Sequence, residues 1–285
     1  MLQKTEKDRI LILGGSGFIG HSLYRELQSF FDVHATYCSQ SRTFLENQVF
    51  HQFDMTKESV MPILNFVQPS VIIGALKGNI QGEPEVYREV SEYISQHPGS
   101  RLLFISSAEV FDAKFTHPNY ENDIPLSTTA EGKCKITIEK LLLKKIPHKV
   151  AILRLPLILG INSQEIFHLC QCIRHQAAFE VFPNLVISAN TIDKICLQIH
   201  YIINQSLTGI YHLSSNDMIH HDELFKEITQ KLSSDSPVFK NVYTSNDDRY
   251  KAILPRFNRL PKSFEITIDE VIKASSLNEE IVTVD

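Results

Sequence analysis

No stretch of about 20 consecutive apolar residues occurs in the 285-residue chain, so no membrane-spanning helix is expected. Basic charge is not in excess either. The 28 Lys and Arg against 33 Asp and Glu leave a formal net charge of −5. That argues against nucleic acid as the main partner, because a phosphate-binding surface needs clustered cations. Cysteine is sparse and odd in number: Cys38, Cys134, Cys170, Cys172 and Cys196. No small disulfide scaffold is in view, and reduced thiols in a cytoplasmic protein are expected. Internal repeats and low-complexity tracts are absent. Lys4, Lys7 and Arg9 before Ile10–Leu13 imitate a signal peptide, but Glu6 and Asp8 spoil the basic region. Gly14, Gly15, Gly17 and Gly20 interrupt the apolar stretch, so a first β-strand is the better reading.

What is present is a core-forming composition, 43% hydrophobic and 21% charged. The length allows one large domain or two modest ones. Strand and helix signals alternate through the first half. Strands are predicted over 9–13, 32–37, 49–53, 70–75, 101–106 and 149–153. Helices are predicted over 18–30, 57–66, 84–96 and the later part of 126–145. This alternation predicts an α/β fold, a Rossmann doubly wound parallel sheet with helices on both faces. Beyond it, helices are predicted over 166–175, 191–204 and 222–232, and a strand over 209–213. Residues 233–259 are polar with no clear period. The expected division is a dinucleotide-binding domain over 1–154, with helix 191–204 packed back on it. A smaller α/β substrate lobe would span 155–285.

Gly14-Gly15-Ser16-Gly17-Phe18-Ile19-Gly20 is a glycine-rich turn between the first strand and the first helix. Gly14 can take the tight turn, Gly17 admits a pyrophosphate without a Cβ in the way, and Gly20 allows close helix–strand packing. The helix N-terminus offers amide groups and partial positive charge to phosphates. At the end of the second strand stand Thr36, Tyr37, Cys38, Ser39, Gln40, Ser41 and Arg42. An acid there would hold a free ribose 2′-hydroxyl and repel a 2′-phosphate. None is present, and Ser39 and Arg42 could receive the phosphate, so NADP(H) is expected, with NAD as the alternative.

The Gly-x-x-Gly-x-x-Gly spacing resembles the extended short-chain dehydrogenases. Phe104–Asp112 (FISSAEVFD) resembles the fifth-strand signature of dTDP-4-dehydrorhamnose reductases and their relatives. Tyr120-Glu121, Pro125, Leu153–Pro156 with Gly160, Thr191–Asp193 and Gly209–Leu213 extend the resemblance over residues 9–230. It implies that Ser107 hydrogen-bonds a substrate carbonyl and that Asp54 contacts adenine. A strand-ending turn is the plain alternative for Asp54. It further implies that Ala75 lies against the cofactor and that Lys135 binds the nicotinamide ribose.

The family's chemistry uses a Tyr four residues before that Lys, one helical turn apart on the same face. Here the position is Glu131, and none of the nine tyrosines has a Lys four residues later. Three readings stay open. In the first, Glu131 substitutes as acid/base, although a carboxyl beside an ammonium favours its ionised form unless burial opposes it. In the second, another group, such as Tyr120 or the substrate itself, supplies the proton. Or reduction is lost and binding remains, as in a catalytically silent relative, the regulatory subunit of methionine adenosyltransferase. The expected ligand is a nucleotide-sugar-like small molecule, with a homodimer or a partner enzyme as the expected assembly.

Other constellations read more plainly. His168, Cys172 and His175 share a helix face but lack a fourth ligand, and no metal is expected. Asp222 reads as a helix N-cap. Lys140, Lys144, Lys145 and His148 suit a helix C-terminus. Arg154 sits in an apolar run, where a charge must be paired. It reads equally as a structural ion pair or as a contact near the ligands. Arg249, Arg256 and Arg259 either meet a substrate diphosphate or serve the surface.

Overall fold

A computed structural model describes residues 8–39, 47–78, 80–233 and 235–276. The chain divides into two units. The first lies within Met1–Ser106, Thr129–Leu153 and Ile199–Ile210, the second within Ser107–Thr128, Arg154–Gln198 and Tyr211–Asp285. The chain thus crosses between them several times rather than once after residue 154.

The expected doubly wound sheet is present. Its strands are β1 (Arg9–Leu13), β2 (Asp32–Tyr37), β3 (Phe50–Gln52), β4 (Val71–Gly74), β5 (Arg101–Ser107), β6 (Val150–Leu155) and β11 (Gly209–His212). Their order is β11-β6-β5-β4-β1-β2-β3. β1 is parallel to both neighbours, with Ile12 opposite Ala35 on β2 and Leu13 opposite Gly74 on β4. Strand order reverses between β1 and β4, the switch point where open α/β sheets bind ligands beyond their carboxyl ends. Ile10 to Leu13 are fully buried, as expected of a strand covered on both faces.

The helices of this unit are α1 (Phe18–Leu27), α2 (Met61–Val67), α3 (Glu83–Gln96) and α4 (Ala130–Lys145). Leu11, Leu13, Leu64, Val90, Phe104 and Ile138 belong to one continuous apolar core. α1 stops three residues short of the predicted end, because 28–31 turn back into β2. α2 starts four residues late. Asp54 ties 54–58 into a turn, and Pro62, which lacks an N–H, fits only the first turn of a helix. Thr129 caps α4 by accepting from the Gly132 N–H at 3.1 Å.

The second unit holds β7 (Leu157–Leu159), α5 (Gln164–His175), β8 (Ala178–Val181), β9 (Leu185–Ile187) and β10 (Ala189–Thr191). Later come β12 (Ile219–His220), α7 (His221–Leu232), β13 (Val238–Asn241), β14 (Arg249–Tyr250) and α8 (Ile268–Ser275). Between the two groups, α6 (Ile192–Asn204) is shared by both units. β13 pairs with β8, and β9 lies between β12 and β14. Residues 233–259 therefore carry two short strands where no period was legible. Asp222 is not the N-cap of α7; His220 holds that place, and Asp222 pairs with Lys226 at 2.6 Å. α8 opens on a capping box, Thr267 with Glu270. No helix among the described residues is long and apolar enough to cross a membrane.

Candidate functional site

The turn from β1 into α1 is shaped by what its glycines lack. Gly14 has φ +90°, the left-handed region, and a Cβ on it would lie 2.6 Å from the Ala75 carbonyl oxygen. A Cβ on Gly20 would lie 2.2 Å from the Gly14 carbonyl oxygen, so α1 packs directly on the turn. Gly17 differs: its nearest neighbour would be 3.5 Å away, and the residue is exposed. That leaves an open backbone cradle. Gly17 is also the N-cap of α1; no side chain caps the helix and no acid occupies its first turn. First-turn amides have no acceptor within the helix, which suits a pyrophosphate. Gly15, Ser16, Phe18 and Ile19 complete the segment, with Phe18 40% exposed. The residues present fit a dinucleotide.

The end of β2 divides into two parts. Thr36 is buried and its hydroxyl accepts the Gly14 N–H at 2.9 Å, so it braces the loop rather than facing a ligand. Tyr37 is buried as well, whereas Cys38 and Ser39 are exposed. Arg42 lies outside the described residues. Asp54 accepts from the Thr56 N–H at 3.0 Å and the Thr56 hydroxyl at 2.6 Å, and pairs with Lys57 at 2.7 Å. The Lys57 ammonium, then Thr56, holds its carboxyl down to about 2. These bonds all serve the turn Asp54 opens.

Lys135 lies on the inner face of α4. Its ammonium is 2.6 Å from the Glu83 carboxylate at the start of α3, with side chains 9% and 5% exposed. The same ammonium stands 5.0 Å from the centre of the Phe104 ring, a cation–π contact. Burial lifts the Glu83 carboxyl above its ordinary value more than Lys135 draws it down, and Glu131 adds to the rise. Glu131 itself is exposed, in the first turn of α4. One turn after Lys135, Glu139 accepts from the Ser106 hydroxyl at 2.6 Å. Tyr87, one turn after Glu83, is fully buried, and its hydroxyl faces the Leu76 backbone. Glu83 was not singled out in the sequence. Its distance of 52 positions from Lys135 leaves no local signal.

In the second unit, Ser107 caps a single 3-10 turn, Ala108–Phe111, by accepting from the Glu109 N–H at 3.3 Å. That bond uses a lone pair of the oxygen and leaves the hydroxyl proton available to a carbonyl. Glu109 pairs with Lys251. Arg154 is 1% exposed. It donates to the Glu121 carbonyl at 3.3 Å, meets His212 Nε2 at 3.4 Å and lies 4.9 Å from the centre of the Phe111 ring. Burial, then Arg154, pushes His212 down to about 3, so its ring is neutral. The Glu121 carboxylate accepts from the Arg256 and Phe257 backbone N–H groups at 3.1 and 3.2 Å. Arg256 stacks near Tyr120 at 5.0 Å, Arg249 near Phe115 at 4.2 Å, and Arg259 bonds Glu265 at 3.0 Å. His168 meets Cys172 at 3.4 Å.

The chain is 26% identical over 236 residues to methionine adenosyltransferase 2 subunit beta of Rattus norvegicus, covering 74% of this chain and 68% of that protein. The crystal structure of dTDP-4-dehydrorhamnose reductase from Yersinia enterocolitica superposes with a TM-score of 0.78 at 18% identity, covering 94% of this chain and 99% of that one. The same enzyme from Bacillus anthracis, solved in complex with NADP, gives 0.73 at 19%, covering 94% and 97%. These structures share the fold, a Rossmann-like α/β sheet. Residues 85–263 match the family model described as the RmlD substrate binding domain, and the chain belongs to that family.

Proposed function

We propose that the protein binds NADP(H) at Gly14–Gly20 and acts as an oxidoreductase on a nucleotide-sugar-like molecule, with a proton donor other than tyrosine. The observation that carries this reading is the glycine turn. Its one exposed glycine opens a cradle at the N-terminus of α1, beside the switch point of the sheet. NADP(H) is preferred over NAD(H) because no acid stands at Tyr37, Cys38 or Ser39. A bound nicotinamide would supply hydride. Within the chain, Ser107 retains a hydroxyl proton to polarise a substrate carbonyl. Lys135 orients the ribose, and Glu131 occupies the proton-donor position. Arg256, on a loop fixed by Glu121, is available to a substrate diphosphate.

A second reading is a dinucleotide-binding regulatory or partner protein without turnover. It is favoured by the missing tyrosine at 131 and by the similarity to a subunit beta. One pair of measurements separates the two. Calorimetry with NADP(H) and NAD(H) tests binding, and NADPH oxidation with 4-keto sugar nucleotides tests turnover. Turnover abolished by Lys135→Ala removes the silent reading. Tight binding without turnover, with a co-purifying protein, removes the enzymatic one. Activity gained in Glu131→Tyr would show a site intact apart from its donor.

A further inference from the structure

The buried pair between Glu83 and Lys135 is poorly explained by stability. Removing two charges from water is costly, and such a pair often contributes no more than apolar side chains of the same size. The raised Glu83 carboxyl has the same cause: burial outweighs the attraction of Lys135. The local architecture nevertheless serves the pair. Glu83 is the first residue of α3, reached by the segment that leaves β4 through Ala75, and the Ala75 carbonyl presses on Gly14. The Phe104 ring forms a floor 5.0 Å from the Lys135 ammonium.

An ammonium carries three N–H donors. In a tyrosine-bearing relay the phenol four residues earlier stands beside this ammonium. Residue 131 supplies no phenol here, and its carboxylate is exposed. Glu83, from a different helix, takes one of the three donors at 2.6 Å. Among the described residues no other hydrogen-bond acceptor is seen at the ammonium, so the remaining two would be open to ribose hydroxyls. We propose that Glu83 is the positioning residue for Lys135, holding its ammonium for a bound dinucleotide where a neighbouring phenol is lacking. This rests on the dinucleotide reading above.

The test measures NADPH affinity by calorimetry and the unfolding midpoint in the full chain, for Glu83→Ala, Glu83→Gln, Lys135→Ala and the double variant Glu83→Ala/Lys135→Ala. Glu83→Ala is expected to weaken NADPH about tenfold, as a lost charge-assisted hydrogen bond would. Lys135→Ala should weaken it equally, and the double variant no further. Glu83→Gln, whose amide oxygen reaches the same place, should stay within about threefold of wild type. If Glu83→Ala does not fold, Glu83→Asp takes its place, with the charge kept and the reach shortened; it should weaken NADPH where Glu83→Gln does not. A merely structural pair would lower the midpoint and leave the affinity of the folded variants unchanged. That result overturns the proposal alone. Wild-type protein without affinity for NADPH overturns the dinucleotide reading and the proposal together.

Discussion

The glycine turn and the Lys135 neighbourhood, the two places proposed to meet a cofactor, are built by opposite means. The turn works through backbone, and what matters is the absence of side chains at Gly14, Gly17 and Gly20. The Lys135 neighbourhood works through side chains drawn from three elements: Lys135 on α4, Glu83 on α3 and Phe104 on β5. The first is written in seven consecutive residues and cannot be rewired without losing the shape. The second departs from the tyrosine-bearing pattern: residue 131 is Glu, and the lysine pairs with a carboxylate from another helix. Backbone sites of this kind tolerate few substitutions, whereas side-chain relays can be replaced piece by piece while the fold persists.

The largest effect is expected at Gly20. Gly20→Ala forces a Cβ to within 2.2 Å of the Gly14 carbonyl oxygen, so turn and helix must separate. Loss of measurable NADPH binding, with a lower unfolding midpoint, is expected by calorimetry and thermal denaturation. Gly17→Ala is the control within the same turn. Its Cβ meets nothing closer than 3.5 Å, so the midpoint should fall only by the small cost of alanine at an N-cap, while NADPH affinity falls about tenfold, if the cradle is where phosphate lies. An unchanged affinity in Gly17→Ala would remove the turn from the binding site.

Next in size is Lys135→Ala, which leaves Glu83 buried without its partner. Breaking a buried pair from one side costs about 3–5 kcal/mol, measurable by denaturant unfolding. A cost below about 1 kcal/mol would mean that the carboxylate escapes to water. The pair also makes stability depend on pH. Burial raises the folded-state carboxyl of Glu83 above its ordinary 4.5, against the pull of Lys135 and with Glu131 adding to the rise. Tyr87 on α3 and Cys134 on α4 face the same carboxylate. The contribution of this carboxyl is fully present below about 4.5 and is lost as pH rises through the folded value. Unfolding free energies between pH 4 and 7 should show this loss in wild type and lack it in Glu83→Gln.

The same contrast explains what the sequence made legible. The alternation of buried strands and amphipathic helices made the sheet and its glycine turn legible, because those signals lie within a few residues of one another. Helix boundaries missed where side chains intervened, as when the Asp54 turn and Pro62 delayed α2. β13 escaped because its side chains are largely exposed and give no alternation. α8 was findable: Thr267 and Glu270 ahead of Val271 and Ile272 spell a capping box before an apolar pair. Glu83 was not findable in that way, since only the packing of α3 on α4 brings it to Lys135.

The smallest effects belong to Glu131, and they test whether position 131 is part of the binding structure at all. Its side chain is exposed in the first turn of α4, and the helix is already capped by Thr129. Glu131→Gln should therefore change unfolding free energy by no more than about 0.5 kcal/mol, as for other exposed positions. NADPH affinity should likewise stay at the wild-type value, because the hold on Lys135 comes from Glu83. Turnover of a 4-keto sugar nucleotide, by contrast, should vanish in the same variant if residue 131 gives the proton. Unchanged turnover would move the donor elsewhere and leave the binding account standing. A marked loss of affinity would show instead that Glu131 shares the work of holding the ammonium, and the division between a fixed backbone turn and a replaceable relay would have to be redrawn around both carboxylates.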